Sequence, residues 1–314
     1  MTMRHEALLY GDDHDYVAGI RQFVQGGARA GEPVLVAVPA PRLALLRREL
    51  GATVRFVDMA EAGRNPGRII PAVLHAFIEE HPGGRVRIVG EPIWPGRPAE
   101  IYPRCVQHEA LVNLALADRP AAILCPYDTC GLAPEAVADA LRTHPVVVES
   151  GVRRGSQRYA QPEVVVAAFN RPLPEPRTPP AVLIFGAGDL TAVRRFVREH
   201  GARAGLPPDR VDDLLVVANE LATNALVHGR GPGTLRLWPD DDGVVCEVLD
   251  RGRPAGALLL AGRVPPALYS EHGRGLVLVN LLCDAVHVHA GPDATTVRLH
   301  VPRSPAGGAT FLSS

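Results

Sequence analysis

The sequence predicts an α/β protein of two domains, the first built on a parallel sheet. Three observations carry this. Strand and helix patterns alternate through the first half, and the strands are apolar without interruption. Residues 171–180 hold five prolines in ten positions, which excludes a helix or a central strand and reads as an extended, semi-rigid linker. After it, helical patterns rich in Leu and Val give way to strands with period-two alternation. The expected layout is a first domain over 1–170, the linker over 171–180 and a second domain over 181–314.

In the first domain, Ala7-Leu8-Leu9-Tyr10 is a short apolar strand. Residues 15–29 form an amphipathic helix with Val17, Ile20, Phe23 and Val24 on one face. A buried strand over 33–38 precedes a helix over 42–50, and a strand over 54–57 precedes a helix over 66–81. Residues 86–91 are a strand ending in Glu91. Pro98 introduces a helix over 99–117, and a strand over 121–125 is followed by a helix over 133–143.

In the second domain a helix over about 190–200 precedes a longer one beginning near Asp209. That helix is apolar at Leu214, Leu215, Val216, Val217, Leu221, Leu226 and Val227, yet carries Glu220 and Asn224 four residues apart and so on one face. Two oxygen-bearing groups there need a polar partner, and hydrated Mg²⁺ takes such oxygen ligands. Val245-Cys246-Glu247-Val248-Leu249-Asp250 is a strand ending in an acid that can accept a hydrogen bond from an exocyclic amine such as that of adenine. Gly252 follows and lets backbone approach a flat ring. Gly273-Arg274-Gly275-Leu276 opens an apolar helical run, and glycines at a helix N-terminus expose N–H groups to phosphate. Residues 294–302 are an alternating strand containing Thr295 and Thr296.

This order of motifs, over about residues 181–303, resembles the Bergerat-type ATP-binding fold (the GHKL group) of gyrase, a heat-shock chaperone, histidine kinases and MutL. Within that group the chain is most similar to the small anti-sigma-factor serine kinases of bacteria. The resemblance implies that the second domain is an α/β sandwich and that ATP and Mg²⁺ are cofactors, with Asn224 on the metal and Glu220 as the catalytic base. It implies that Asp250 reads adenine with Thr295 or Thr296 helping through water, and that Gly273 and Gly275 cradle phosphates. His228, Gly252, Arg274 and Leu276 complete the expected nucleotide set. Arg253-Pro254 stands where the family usually carries a further glycine, ahead of a lid over about 255–272.

In the first domain, His5-Glu6-Ala7-Leu8-Leu9-Tyr10, Gly31-Glu32-Pro33-Val34-Leu35-Val36, Glu91-Pro92-Ile93-Trp94, Leu124-Cys125-Pro126-Tyr127-Asp128 and His144-Pro145-Val146-Val147 resemble the sensory domain named for methanogens, methylotrophs and the dichloromethane regulator. That resemblance implies a RecA/KaiC-like core. The stretch matched to its phosphate loop, Val36 to Leu43, has no Gly or Lys and two prolines, so ATP binding in that mode is not expected. In an open parallel sheet, ligands sit beyond the carboxyl ends of the strands. The sequence places Tyr10, Asp12, Asp13, Pro39, Arg42, Asp58, Glu91, Trp94, Tyr127 and Asp128 there, flanked by His5 and His14. Two readings stand side by side: a small-molecule pocket, or Glu91 and Asp128 as vestiges satisfied by Arg or backbone N–H groups.

Composition narrows the class. A net charge of −1 over 314 residues offers no nucleic-acid face and no membrane-binding surface, and no apolar run reaches the length of a membrane span. The N-terminal residues lack a signal-peptide pattern, so a cytoplasmic location is expected. The five cysteines are odd in number and scattered, against a disulfide framework. Cys105, His108, Cys125 and Cys130 form either a metal or redox site or a set of buried inert thiols.

The function expected from these readings is a signalling regulator. A sensory domain with a small-molecule ligand is coupled to a serine/threonine kinase that phosphorylates an anti-sigma-factor antagonist of the STAS type, binds a sigma factor, or does both, as a homodimer. Two alternatives compete with it. One is a non-catalytic, nucleotide-dependent protein-binding module. The other is a sensor histidine kinase, which needs a phosphoacceptor His on a long helix before the ATP domain, and residues 149–170 contain no His.

Overall fold

The computed structural model describes residues 3–51, 54–252 and 274–304. The chain divides into two compact units, Met1–Phe169 and Asn170–Ser314.

The first unit runs β1 (Arg4–Tyr10), α1 (Asp13–Ala30), β2 (Val34–Val38), α2 (Ala40–Leu50), β3 (Arg55–Asp58), then three consecutive helical stretches α3 (Met59–Ala62), α4 (Pro66–Arg68) and α5 (Ala76–Glu79), the last two joined by a π-helical segment over Ile69–His75. It continues with β4 (Val86–Gly90), α6 (Tyr102–Ala115), β5 (Ala121–Asp128), α7 (Pro134–Thr143), β6 (Val146–Glu149), β7 (Val152–Gly155) and α8 (Pro162–Ala168). The strands form one sheet of order β3-β2-β4-β5-β1-β6-β7, parallel except at β6–β7. The buried parallel strands match the uninterrupted apolar runs of the sequence.

The structure adds elements to the sequence reading. β7 pairs back on β6 through a two-residue turn, Ser150-Gly151, with φ of 48° and 76° at the two positions, as a tight hairpin requires. β5 runs three residues past Cys125 and includes Pro126. β4 pairs with β5 only as far as Leu124, so beyond it β5 has a partner on one side alone, where a residue lacking an N–H is tolerated.

The second unit comprises β8 (Ala181–Phe185), α9 (Leu190–Arg203), α10 (Pro208–His228), β9 (Gly233–Pro239), β10 (Gly243–Asp250), α11 (Arg274–Leu282), β11 (Ala285–Ala290) and β12 (Thr295–Pro302). The strands form an antiparallel sheet of order β11-β12-β10-β9-β8. Leu214, Val217 and Leu221 of α10 pack with Val193 and Val197 of α9 against Val244, Cys246 and Val248 of β10 and Val297, Leu299 and Val301 of β12. Alternation sends the other residues of these strands to the opposite face. There the buried Glu247 accepts from Arg236 at 2.9 Å and from Nε of Arg298 at 2.7 Å, and both guanidinium groups lie over the Trp238 ring.

The proline-rich segment packs on the second unit. Asn170 accepts the Ala290 N–H at 2.9 Å and donates to the Ala290 carbonyl at 2.8 Å, and Glu175 accepts from Arg236 at 2.8 Å. Among the described residues no helix is long and apolar enough to cross a membrane.

Candidate functional site

Four chain segments converge at one end of the second unit. α10 places Glu220 and Asn224 one turn apart, both partly exposed, above the buried Leu221 and Ala225. At the end of α10, Gly229 donates to the Ala225 carbonyl, and Arg230 donates its N–H to the Arg251 carbonyl, tying the helix end to the turn after β10. A Cβ on Gly252 would meet Asp250 Oδ1 at 2.8 Å and the His228 carbonyl at 3.1 Å, so that turn folds tightly onto the helix terminus.

Asp250 continues the face of β10 that carries Val244, Cys246 and Val248, the face covered by α9 and α10. Burial pushes its carboxyl up, opposed by the nearby His228. Thr295 is directly across the ladder from Asp250 and is buried. Its hydroxyl lies 3.4 Å from the Gly252 carbonyl. Thr296 pairs with Leu249 and takes the opposite face, with Arg298 and His300. Of the two threonines in the sequence reading, only Thr295 shares a face with Asp250.

The fourth segment is the start of α11. A Cβ on Gly275 would collide with Oε2 of Glu220, so the glycine lets this helix terminus approach the carboxylate directly. Leu276 packs partly buried against the core. Gly273, the Arg253-Pro254 departure and the lid over 255–272 lie outside the described residues, as does the side chain of Arg274. The described groups are of the kind a magnesium nucleotide takes: an amide and a carboxylate oxygen in adjacent turns, a single glycine at a helix start, and an acid beside a threonine at a strand end.

The carboxyl ends of the strands in the first unit hold a different assembly from the one the sequence implies. Glu91, almost fully buried, accepts the Tyr16 hydroxyl at 2.9 Å. Burial pushes its carboxyl up to about 7, against the pull of Tyr16 and the Arg42 guanidinium. Arg42 lies 4.6 Å from the Tyr16 ring centroid and 5.5 Å from that of Tyr10, and it pairs with Asp13. Asp128 accepts the N–H groups of Cys130 at 3.0 Å and Gly131 at 2.8 Å. Asp128 is thus satisfied by backbone N–H groups, as one of the two readings has it, whereas Glu91 is held by a tyrosine hydroxyl rather than by Arg or backbone N–H.

Other residues of that set serve as caps. Asp12 caps α1 by accepting the Asp15 N–H at 2.8 Å, Asp58 caps α3, and Pro39 precedes α2. His14 is exposed beside Asp15. Trp94 stacks under Arg97 at 4.3 Å and borders an apolar cavity of about 400 Å³ with Ile93, Tyr102, Cys105 and Leu132.

Tyr127 and His5 leave the set. Strand alternation turns both toward α6, where Tyr127 donates to Glu109 at 3.1 Å and His5 Nε2 lies 3.1 Å from the same carboxylate. The cysteine grouping changes too. Cys125 joins His5, Glu109 and His144, while Cys105 is at the cavity and Cys130 is exposed. Glu109 was invisible to sequence reasoning. Its one signal is the spacing Cys105, Glu109, Asn113, which puts a thiol, an acid and an amide on one helix face.

Comparison with known proteins agrees with both halves. Residues 4–145 match the MEthanogen/methylotroph, DcmR Sensory domain, and residues 187–301 match the histidine kinase-like ATPase domain. No curated protein matches the chain. Among solved structures, that of the RsbU and RsbW domains of Rv1364c from Mycobacterium tuberculosis is similar at 18% identity and a TM-score of 0.31, covering 66% of this chain. The match spans about half (49%) of that structure's own chain. The protein therefore joins a MEDS sensory domain to a histidine kinase-like ATPase domain, the layout of a signal-transduction protein, and the ATPase domain implies that it binds ATP.

Proposed function

We propose that the second unit is a serine/threonine kinase of the anti-sigma-factor type, governed by the sensory unit and acting on an anti-sigma-factor antagonist of the STAS type. The observation that carries this is the placement of Glu220: partly exposed, one helical turn from Asn224, and against the glycine at the start of α11. A carboxylate so placed can accept a proton from an incoming hydroxyl while the helix start holds phosphate.

The residues divide the work. Asp250 accepts a hydrogen bond from the adenine amine, with Thr295 beside it. The N–H groups at the start of α11 bind phosphate oxygens. Asn224 offers its carbonyl oxygen to Mg²⁺, which when bound neutralises charge on the phosphates. Glu220 orients the attacking Ser or Thr hydroxyl and takes its proton as the γ-phosphoryl group moves to that oxygen, leaving ADP.

Label transfer from γ-labelled ATP to purified STAS-type antagonists tests this reading. The wild type labels Ser or Thr, and Glu220→Ala retains ATP affinity while losing transfer by roughly 100-fold or more. Equal loss of binding and transfer refutes the role of Glu220. ATP binding with no labelling of any antagonist makes the unit a nucleotide-dependent binding module instead.

A further inference from the structure

His5, Glu109, Cys125 and His144 come together between the sheet of the first unit and helix α6, from β1, α6, β5 and the residue after α7. All four are buried, none more than 2% exposed. One ligand-type atom from each lies within 4.8 Å of every other. Glu109 Oε2 is 3.1 Å from His5 Nε2, 3.4 Å from His144 Nε2 and 3.4 Å from Cys125 Sγ, and Sγ is 3.4 Å from His5 Nε2.

The partners of the outer ring nitrogens fix where the protons are. Asn113 donates its amide to three backbone carbonyls, at 3.2, 3.2 and 2.8 Å. Its oxygen therefore faces His5 Nδ1 at 3.2 Å, and Nδ1 is the donor. Nδ1 of His144 lies 2.9 Å from the Ala140 carbonyl, which only accepts, so it is a donor too. In the neutral tautomers both Nε2 atoms then present lone pairs inward, toward a carboxylate and a sulfur. A proton on the carboxyl serves one ring at most, and among the described residues His144 Nε2, 3.4 Å from Glu109, makes no hydrogen bond of good geometry.

We infer that this cluster is a binding site for one divalent transition-metal ion of the zinc class, held by His5 Nε2, His144 Nε2, a Glu109 oxygen and the Cys125 sulfur. The chemistry of the set selects that class, since two imidazoles, one thiolate and one carboxylate suit borderline ions rather than Mg²⁺ or Ca²⁺. The spacing agrees. A tetrahedral ion with bonds of about 2.0–2.3 Å separates its ligands by roughly 3.3–3.7 Å, close to the 3.1–3.4 Å found for four of the six pairs. The charges agree as well: a dication with one thiolate and one carboxylate is neutral, as a dry interior demands. Asn113 and the Ala140 carbonyl orient the rings, as the outer partners of metal-bound histidines do. Binding M²⁺ forms the metal–sulfur bond and releases the Cys125 thiol proton to solvent, with no change of oxidation state. Closed on all sides by protein, the site is structural or sensory rather than catalytic.

The test uses the full chain without a histidine tag, produced in zinc-replete and in cobalt-supplemented minimal medium and dialysed against a chelator. The zinc form retains about one metal ion per chain. The cobalt form shows the visible bands of a tetrahedral ion and a thiolate-to-cobalt charge-transfer band. Cys125→Ser abolishes the charge-transfer band, and Asn113→Ala, which keeps all four ligands, weakens retention by roughly 10–100-fold. Should Cys125→Ser fail to fold, a chain with Cys105, Cys130, Cys246 and Cys283 replaced by Ala decides, because Cys125 is then the sole source of a thiolate for the charge-transfer band. A chain that retains no metal from either medium, or a cobalt spectrum unchanged in a folded Cys125→Ser, overturns the inference and leaves a proton-bearing histidine–carboxylate cluster.

Discussion

Gly275 at the start of α11 leaves no room for a side chain against the carboxylate of Glu220: an added Cβ would meet Oε2. The obstacle is the far end of a flexible side chain, so it can move, and moving it displaces the group assigned the proton. Gly275→Ala is therefore expected to cost catalysis more than stability. The strain falls on that flexible side-chain end rather than on backbone, so the fold can absorb it. Phosphotransfer should fall by roughly tenfold or more while the denaturation midpoint stays near that of the wild type.

Asp250 and Thr295 share a face across the β10–β12 ladder, and Thr296 takes the other. Asp250→Ala is expected to weaken ATP by about 1.5–3 kcal/mol, the worth of a hydrogen bond to a charged acceptor. Thr295→Val should cost less, and Thr296→Val should leave affinity unchanged. Equilibrium titration of the three variants with ATP checks the order. Equal losses at Thr295 and Thr296 would contradict the face assignment.

Glu91 gives the first unit a pH dependence. Its folded pKa of about 7 stands above the ordinary 4.5, so between those values the folded state binds the proton more tightly than the unfolded chain. Stability from this group is full below pH 4.5 and is lost as pH rises through about 7. Glu91→Gln keeps an acceptor for Tyr16 and carries no charge. It should flatten that slope and be more stable at pH 8, by an amount on the order of 3 kcal/mol at most. Denaturant midpoints of the two proteins across pH 4 to 8 are the measurement.

Glu247 is buried beneath two arginines, whereas Glu175 meets one of them at the surface. Glu247→Ala leaves Arg236 and Arg298 without their shared counter-charge and is expected to cost about 3–5 kcal/mol. Glu175→Ala should leave the midpoint unchanged within error. Paired unfolding curves distinguish a charge ladder that organises the sheet from one that merely decorates it.

The candidate nucleotide site is legible in the sequence because its residues sit in short motifs: Glu220 and Asn224 in one helix, Asp250 and Gly252 in one turn. The side on which Thr295 and Thr296 point depends on ladder register, which no local pattern shows. The buried cluster in the first unit was hidden for the same reason at greater distance. His5 and Cys125 are 120 residues apart, and only the β1–β5 pairing brings them together. β7 was missed although Ser150-Gly151 is a turn signal, because the strand after it, Val152-Arg153-Arg154-Gly155, is exposed and lacks an apolar pattern.

The proposed kinase stands on binding of a magnesium nucleotide by the second unit through the groups around Glu220 and Asn224. The decisive experiment is calorimetric titration of Mg²⁺-ATP into the full chain and into Asn224→Ala. The wild type is expected to bind saturably, one nucleotide per chain, and the variant to lose that binding. No binding by the wild type, or undiminished binding by a folded Asn224→Ala, refutes the site.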